Sequence, residues 1–118
     1  MAVRVSQPAL ASIVIGPPVI LNWQASPPIT QVLVAQNGVA TWSVEYTLDN
    51  ILADNTDNTP VFGANGINAT WQPLSTMTAK TATADATINF PVIAIRLNMT
   101  AYTNGTGAVM KVLQGDQI

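Results

Sequence analysis

The sequence predicts an all-β fold: a single antiparallel β-sandwich or jelly roll of about seven or eight short strands. The domain spans residues 1–118, with 1–9 as an extended N-terminal arm. Three observations lead there. No stretch keeps a 3.6-residue apolar period behind a helix cap. Several runs instead alternate apolar and polar residues with period two. Gly, Pro and Asn turns cut these runs short at close intervals.

Taken in order, Ala2 to Val5 reads as a short strand or arm. Leu10 to Ile15 is an apolar run suited to a strand buried on both sides or lying against a neighbour, and Gly16-Pro17-Pro18 ends it. Val19 to Trp23 is a short extended piece, closed by Pro27-Pro28, a pair that fits neither a helix nor a central strand. Ile29 to Ala35 is rich in β formers. Thr41 to Leu48 alternates, with Trp42, Val44, Tyr46 and Leu48 on one face and Thr41, Ser43, Glu45 and Thr47 on the other. Asn37-Gly38 between these runs reads as a hairpin turn. Asp49 to Asn68 is a long loop, of the kind often used for contact. Thr70 to Leu74 surrounds Trp71. Thr81 to Phe90 alternates small residues with Thr and Asp, as an edge strand would.

The strongest local signal lies between Pro91 and Gly115. Two alternating runs flank Asn104-Gly105, a pair favoured in two-residue hairpins. That turn sets Ala101 opposite Ala108, Met99 opposite Met110 and Leu97 opposite Val112, six apolar residues on one face. The other face then carries Arg96, Asn98, Thr100, Val109, Lys111 and Leu113.

Composition narrows the functional classes. Charged residues make up 8% of the chain, against roughly 25% in ordinary soluble proteins. Before Glu45 the only charged side chain is Arg4. Such a surface is poorly protected against association and points to a homo-oligomer or to cover by partner chains. The net charge of −2 leaves no basic footprint for nucleic acid. The chain lacks both Cys and His. Thiolate nucleophiles, disulfides and every His-dependent triad or metal motif are therefore excluded. The apolar residues 10–23 are interrupted too early to make a membrane helix of about 20 residues.

The remaining constellations are weak as sites. Asp49, Asp54 and Asp57, with their Asn neighbours, offer hard oxygen ligands, but their spacing does not match the EF-hand loop. They read as turn chemistry, so no metal and no cofactor is expected. Glu45 and Asp85 are the candidate carboxylate pair for glycoside hydrolysis, yet nothing in the sequence brings them together. Trp42 and Tyr46 belong to an apolar strand face and read as core. Trp23 and Trp71, beside polar neighbours, are the candidate glycan contacts. Val14, Val34, Arg96, Lys111 and Leu113 are the candidate interface residues, with Arg96 and Lys111 available for ion pairs to a neighbouring subunit.

Three segments carry a resemblance: Thr-Trp-Ser-Val-Glu-Tyr-Thr-Leu-Asp at 41–49, Thr-Trp-Gln-Pro-Leu at 70–74, and Pro-Val-Ile-Ala-Ile-Arg-Leu-Asn-Met-Thr-Ala-Tyr-Thr-Asn-Gly at 91–105, closing in Lys-Val-Leu-Gln-Gly at 111–115. Together they resemble small virion structural proteins of tailed bacteriophages, β-sandwiches that decorate capsids or build neck and tail accessories. The resemblance implies a non-enzymatic virion protein whose partners are its own copies and other capsid or tail proteins. The same order of segments is also similar to discoidin-like galactose-binding sandwiches, which implies a glycan as the alternative partner. Neither resemblance implies a catalytic residue. The expectation of no obligatory metal in the 49–68 loop is checked by thermal unfolding with and without chelator, which should give the same midpoint.

Overall fold

The computed structural model describes residues 3–25, 27–51 and 66–115. Its strands are β1 (Val3–Ser6), β2 (Val19–Ile20), β3 (Thr30–Thr47), β4 (Trp71–Pro73), β5 (Ala84–Ile88) and β6 (Ala94–Gln114), with a 3-10 turn at Ser75–Met77. Most of the long loop, including Asp54 and Asp57, lies outside the described residues.

β3 and β6 are the frame, paired antiparallel from Thr30↔Gln114 to Thr47↔Ala94. Residues 3–20 follow the free side of β6. β1 pairs with its end, from Val3↔Gln114 to Ser6↔Lys111, and β2 pairs with its start at Val19↔Ile95. Between them, Leu10 bridges Ala108 and Ile15 bridges Asn98 without forming a regular strand. The free side of β3 is lined in the same way. β4 pairs with Glu45 to Thr47, Lys80 bridges Trp42, and β5 pairs with Thr30 to Val34.

Each long strand bends midway, so each acts as two. Counted as half-strands in chain order, one sheet runs 1-8-3-6 (β1, late β6, early β3, β5). The other runs 2-7-4-5 (β2, early β6, late β3, β4). This is the strand order of a jelly roll. The inward residues of both halves form one core, with Val32, Val34, Met110 and Val112 from the first sheet and Trp42, Val44, Leu97 and Met99 from the second.

The two expected hairpins are absent, and the glycine geometry explains why. A type I′ turn needs positive φ at both central residues. Here Gly38 and Gly105 have φ of 91° each, but Asn37 and Asn104 do not share the positive region. Asn104-Gly105 therefore belongs to a bulge inside a continuous strand, where an extra residue of β6 bends the ladder without ending it, and Asn37-Gly38 lies across from it in an equally continuous β3. The two Asn-Gly pairs face one another. A Cβ on Gly105 would fall on the Asn37 carbonyl, and one on Gly38 on the Asn104 carbonyl. The side chains complete the crossing: the Val39 N–H donates to Asn104 Oδ1 at 3.1 Å, and the Thr106 N–H donates to Asn37 Oδ1 at 3.3 Å.

This corrects the expected register. Met99 lies opposite Trp42, Met110 opposite Val34, Leu97 opposite Val44 and Val112 opposite Val32. All four β6 residues are nonetheless buried. From Thr30 to Thr47 β3 takes 17 steps while β6 takes 20 from Gln114 to Ala94, so β6 holds three extra residues near the bend. An odd number flips the side-chain phase. Odd-numbered residues point inward before the bend and even-numbered ones after it, so both runs reach the core.

Other expectations also shift. Leu10–Ile15 makes isolated bridges and leaves Ile13, Val14 and Ile15 exposed. Leu48 leaves the expected apolar face and is 66% exposed, whereas Thr47 is buried. Among the described residues six strands replace the expected seven or eight, because two of them span what read as four.

Two substitutions check this account by urea unfolding. Leu97→Ala should lose about 2–5 kcal/mol, the range for truncating a core Leu. Gly105→Ala should lose about 1–3 kcal/mol through forced positive φ, and more through the clash with Asn37. If Asn104-Gly105 were a solvent-exposed turn away from β3, Gly105→Ala would lack that second contribution.

Candidate functional site

Arg96 and Trp71 fall on the outer face of the second sheet, and Lys111 and Leu113 on that of the first. The second sheet holds the more ordered polar cluster. Glu45 and Arg96 are directly opposed on β3 and β6, and Arg96 Nε donates to Glu45 Oε1 at 2.7 Å. Asn98 Nδ2 donates to the other carboxylate oxygen at 3.3 Å. The guanidinium lies over the Trp71 ring, 4.2 Å from its centroid, and the indole N–H donates to the Gly66 carbonyl at 2.7 Å. The side chains of Arg96 and Glu45 are only 9% and 15% exposed.

This corrects two readings. Arg96 is satisfied within its own chain, so it is not held ready for a neighbouring subunit's carboxylate. One face of the half-buried Trp71 ring is covered by Arg96 in a cation–π contact, so that face is not open to a sugar. Cross-strand pairing explains the cluster: β4 sets Trp71 opposite Thr47, two residues along β3 from Glu45, and alternation puts it on the Glu45 face.

On this second sheet the neighbouring polar residues are also engaged. Ser43 is buried and its Oγ accepts from the Ala79 N–H at 2.9 Å. Trp42 is fully buried, as expected of a core residue, and its indole donates to Gln36 Oε1 at 2.8 Å. Tyr46 is half-buried, edge-on to Phe90 with ring centroids 5.4 Å apart.

The first sheet presents the opposite character. Val32, Val34, Met110 and Val112 point inward, so alternation turns Gln31, Leu33, Lys111 and Leu113 outward. Val34 is therefore a core residue, not a surface one, and is fully buried. Leu113 is 57% exposed and Leu33 37%. Arg4 and Gln31 flank Leu113, while Ser6 and Leu33 flank Lys111. On β5, Asp85 stands opposite Leu33 and accepts from Gln31 Nε2 at 3.0 Å. Glu45 and Asp85 thus sit on different sheets with different partners. Leu33 was not among the sequence candidates; its signal is the alternation with Val32 and Val34 inside an apolar run.

Apolar side chains are exposed elsewhere as well. Ile13, Val14 and Ile15 border Asn98 and Thr100 along the β6 edge. Trp23, 51% exposed, borders a shallow hollow with Leu48, Pro91, Val92 and Ile93. Among the described residues no group of His, Cys, Asp or Glu is placed to hold a metal ion. No helix among the described residues is long and apolar enough to cross a membrane. No family model, curated protein or solved structure matches the chain.

The Arg96 cluster makes a stability prediction. Removing one partner of a largely buried ion pair leaves the other charge uncompensated. Glu45→Ala should cost about 3 kcal/mol, the lower end for such pairs. Replacing both partners with apolar residues, Glu45→Leu with Arg96→Met, should restore much of that loss. Urea midpoints of the single and double variants decide it.

Proposed function

We propose that this chain is a non-enzymatic structural protein of a phage virion, assembling as a homo-oligomer on the capsid or at the head–tail region. The observation that carries the reading is the exposure of large apolar side chains, Ile13, Val14, Leu33 and Leu113, on a chain with only four basic and six acidic residues. Surfaces of that kind favour burial against other subunits over independent solubility. The jelly-roll order supports the reading at the level of fold, since capsid proteins are among its users. The resemblance of 41–49, 70–74, 91–105 and 111–115 to tailed-phage structural proteins is what suggests the virion.

Lectins also use jelly rolls, so a glycan-binding role is the second reading. Exposed Trp23 is the feature that favours it. Against it, the described residues lining the hollow beside Trp23 are Leu48, Pro91, Val92 and Ile93, which bring no convergent side-chain donors or acceptors to orient a sugar. A glycan array probed with the purified protein, and with Trp23→Ala, separates the two readings.

Sedimentation at low and high salt tests assembly. The protein should associate, or bind its particle, under both conditions, because apolar contact is little screened by salt. A well-folded monomer with no affinity for any particle would overturn the reading. Val14→Lys should weaken assembly while leaving the fold intact, because Val14 is 40% exposed. Val34→Lys should prevent folding, and Thr83→Lys, at an exposed position, should be milder than either.

A further inference from the structure

We infer that the outer face of the first sheet is a two-fold, self-complementary docking surface whose occupant is a second copy of the same face. The inference rests on the assembly reading above and adds the partner, the surface and the symmetry.

The face can be written as two rows across four strands. One row is Arg4, Leu113, Gln31 and Thr87; the next is Ser6, Lys111, Leu33 and Asp85. Leu113 and Leu33 occupy the two central strands on the diagonal. Both cations lie on the β1–β6 side, and the anion lies on β5. In a chain with four basic residues, two stand here, and Arg96 is already paired elsewhere.

The charges are placed so that one copy does not pair them. Lys111 and Asp85 are two strands apart, about 10 Å at the usual inter-strand spacing. Leu33 stands between them on the ladder. Asp85 is also oriented: Gln31 donates to its carboxylate, and Thr87 Oγ1 in turn donates to Gln31 Oε1. A carboxylate held in position at one edge and two cations near the other form a complementary pattern with its own two-fold image.

A symmetric dimer uses the same patch on both partners. With the axis parallel to the strands and between β6 and β3, the Arg4–Lys111 half of one copy lies over the Asp85 half of the other. The leucines meet near the axis. The apolar centre supplies affinity and the charges set orientation, a division common at interfaces. The rows cover roughly 300 Å² of sheet per copy at standard strand spacings. That footprint belongs with small, reversible interfaces rather than obligate ones.

The test uses the full chain in sedimentation equilibrium, over a concentration series reaching the high micromolar range. The wild type should dimerise reversibly. Leu113→Asp should weaken the dimer by more than about tenfold, as loss of a central anchor does. Two charge variants give the decisive arm: Arg4→Glu with Lys111→Glu, and separately Asp85→Lys. Each alone should associate more weakly than wild type, because like charges then face one another. Their equimolar mixture should recover association to within about threefold of wild type, because both charged edges become complementary again.

Recovery on mixing also shows that the variants are folded. A wild type that associates, but whose association ignores Leu113→Asp and whose charge variants gain nothing on mixing, overturns this surface and leaves assembly through another one standing. A wild type that stays monomeric overturns the dimer whatever its affinity for a particle, and that affinity alone then decides the assembly reading.

Discussion

The mutual approach of two glycines sets the geometry of this protein. Gly38 and Gly105 cross where β3 and β6 bend, each occupying the space that a side chain on the other would need. Neither Asn-Gly pair could approach the other this closely without both glycines, because each Asn carbonyl would meet a Cβ on the opposite strand. With both glycines present, the two longest strands bend at the same level. Their early and late halves then turn the same inward faces onto one core. The flanking segments need only follow: β1, Leu10, Ile15 and β2 track β6 around the bend, while β4, Lys80 and β5 track β3.

The two sheets share that core but treat their outer faces differently. The second sheet closes its outer face with an internal ion pair under an aromatic ring, so its charged groups are spent within the chain. The first sheet leaves leucines and unpaired charges outward across the rows between β1 and β5. A low-charge composition is therefore not spread evenly over the surface. The outer face of the second sheet is closed by its own side chains, whereas that of the first sheet exposes Leu33 and Leu113.

Much of this was legible from periodicity. Alternation marks true core residues at Trp42 and Val44 and at Leu97 and Met99, but not at Leu48, which is exposed where β3 ends while Thr47 is buried. The Asn-Gly pairs were visible as well, but their meaning was not. The same dipeptide makes a I′ turn or a glycine bulge depending on the φ of Asn, and that φ is fixed by whether a partner strand lies across it. Burial of Met99 and Met110 was anticipated from the wrong pairing; three extra residues in β6 return the same inward faces by another route. The Arg96 cluster was hidden for a related reason. Trp71, Glu45 and Arg96 come from three distant strands, and only the registers of β4 and β6 on β3 bring them together.

The strand order has a consequence for how the chain is made. Thr30 pairs with Gln114, and Val3 pairs with the same residue from the other side. A further clamp joins them, with the Asn22 N–H donating to Gln114 Oε1 at 2.7 Å and Gln114 Nε2 donating back to the Asn22 carbonyl at 3.2 Å. β1 and early β3 thus wait for the last stretch of β6 to emerge before their ladders can close. At about 5–20 residues per second, the interval between Thr30 and Gln114 is several seconds of synthesis. During it, an apolar segment with almost no charge stands without its native neighbour. Non-local pairing of this kind also folds slowly once complete. The nascent chain, more than the finished one, is the form in which the scarcity of charge is dangerous, and close spacing of many copies on one message would bring such unpaired strands together before either could fold.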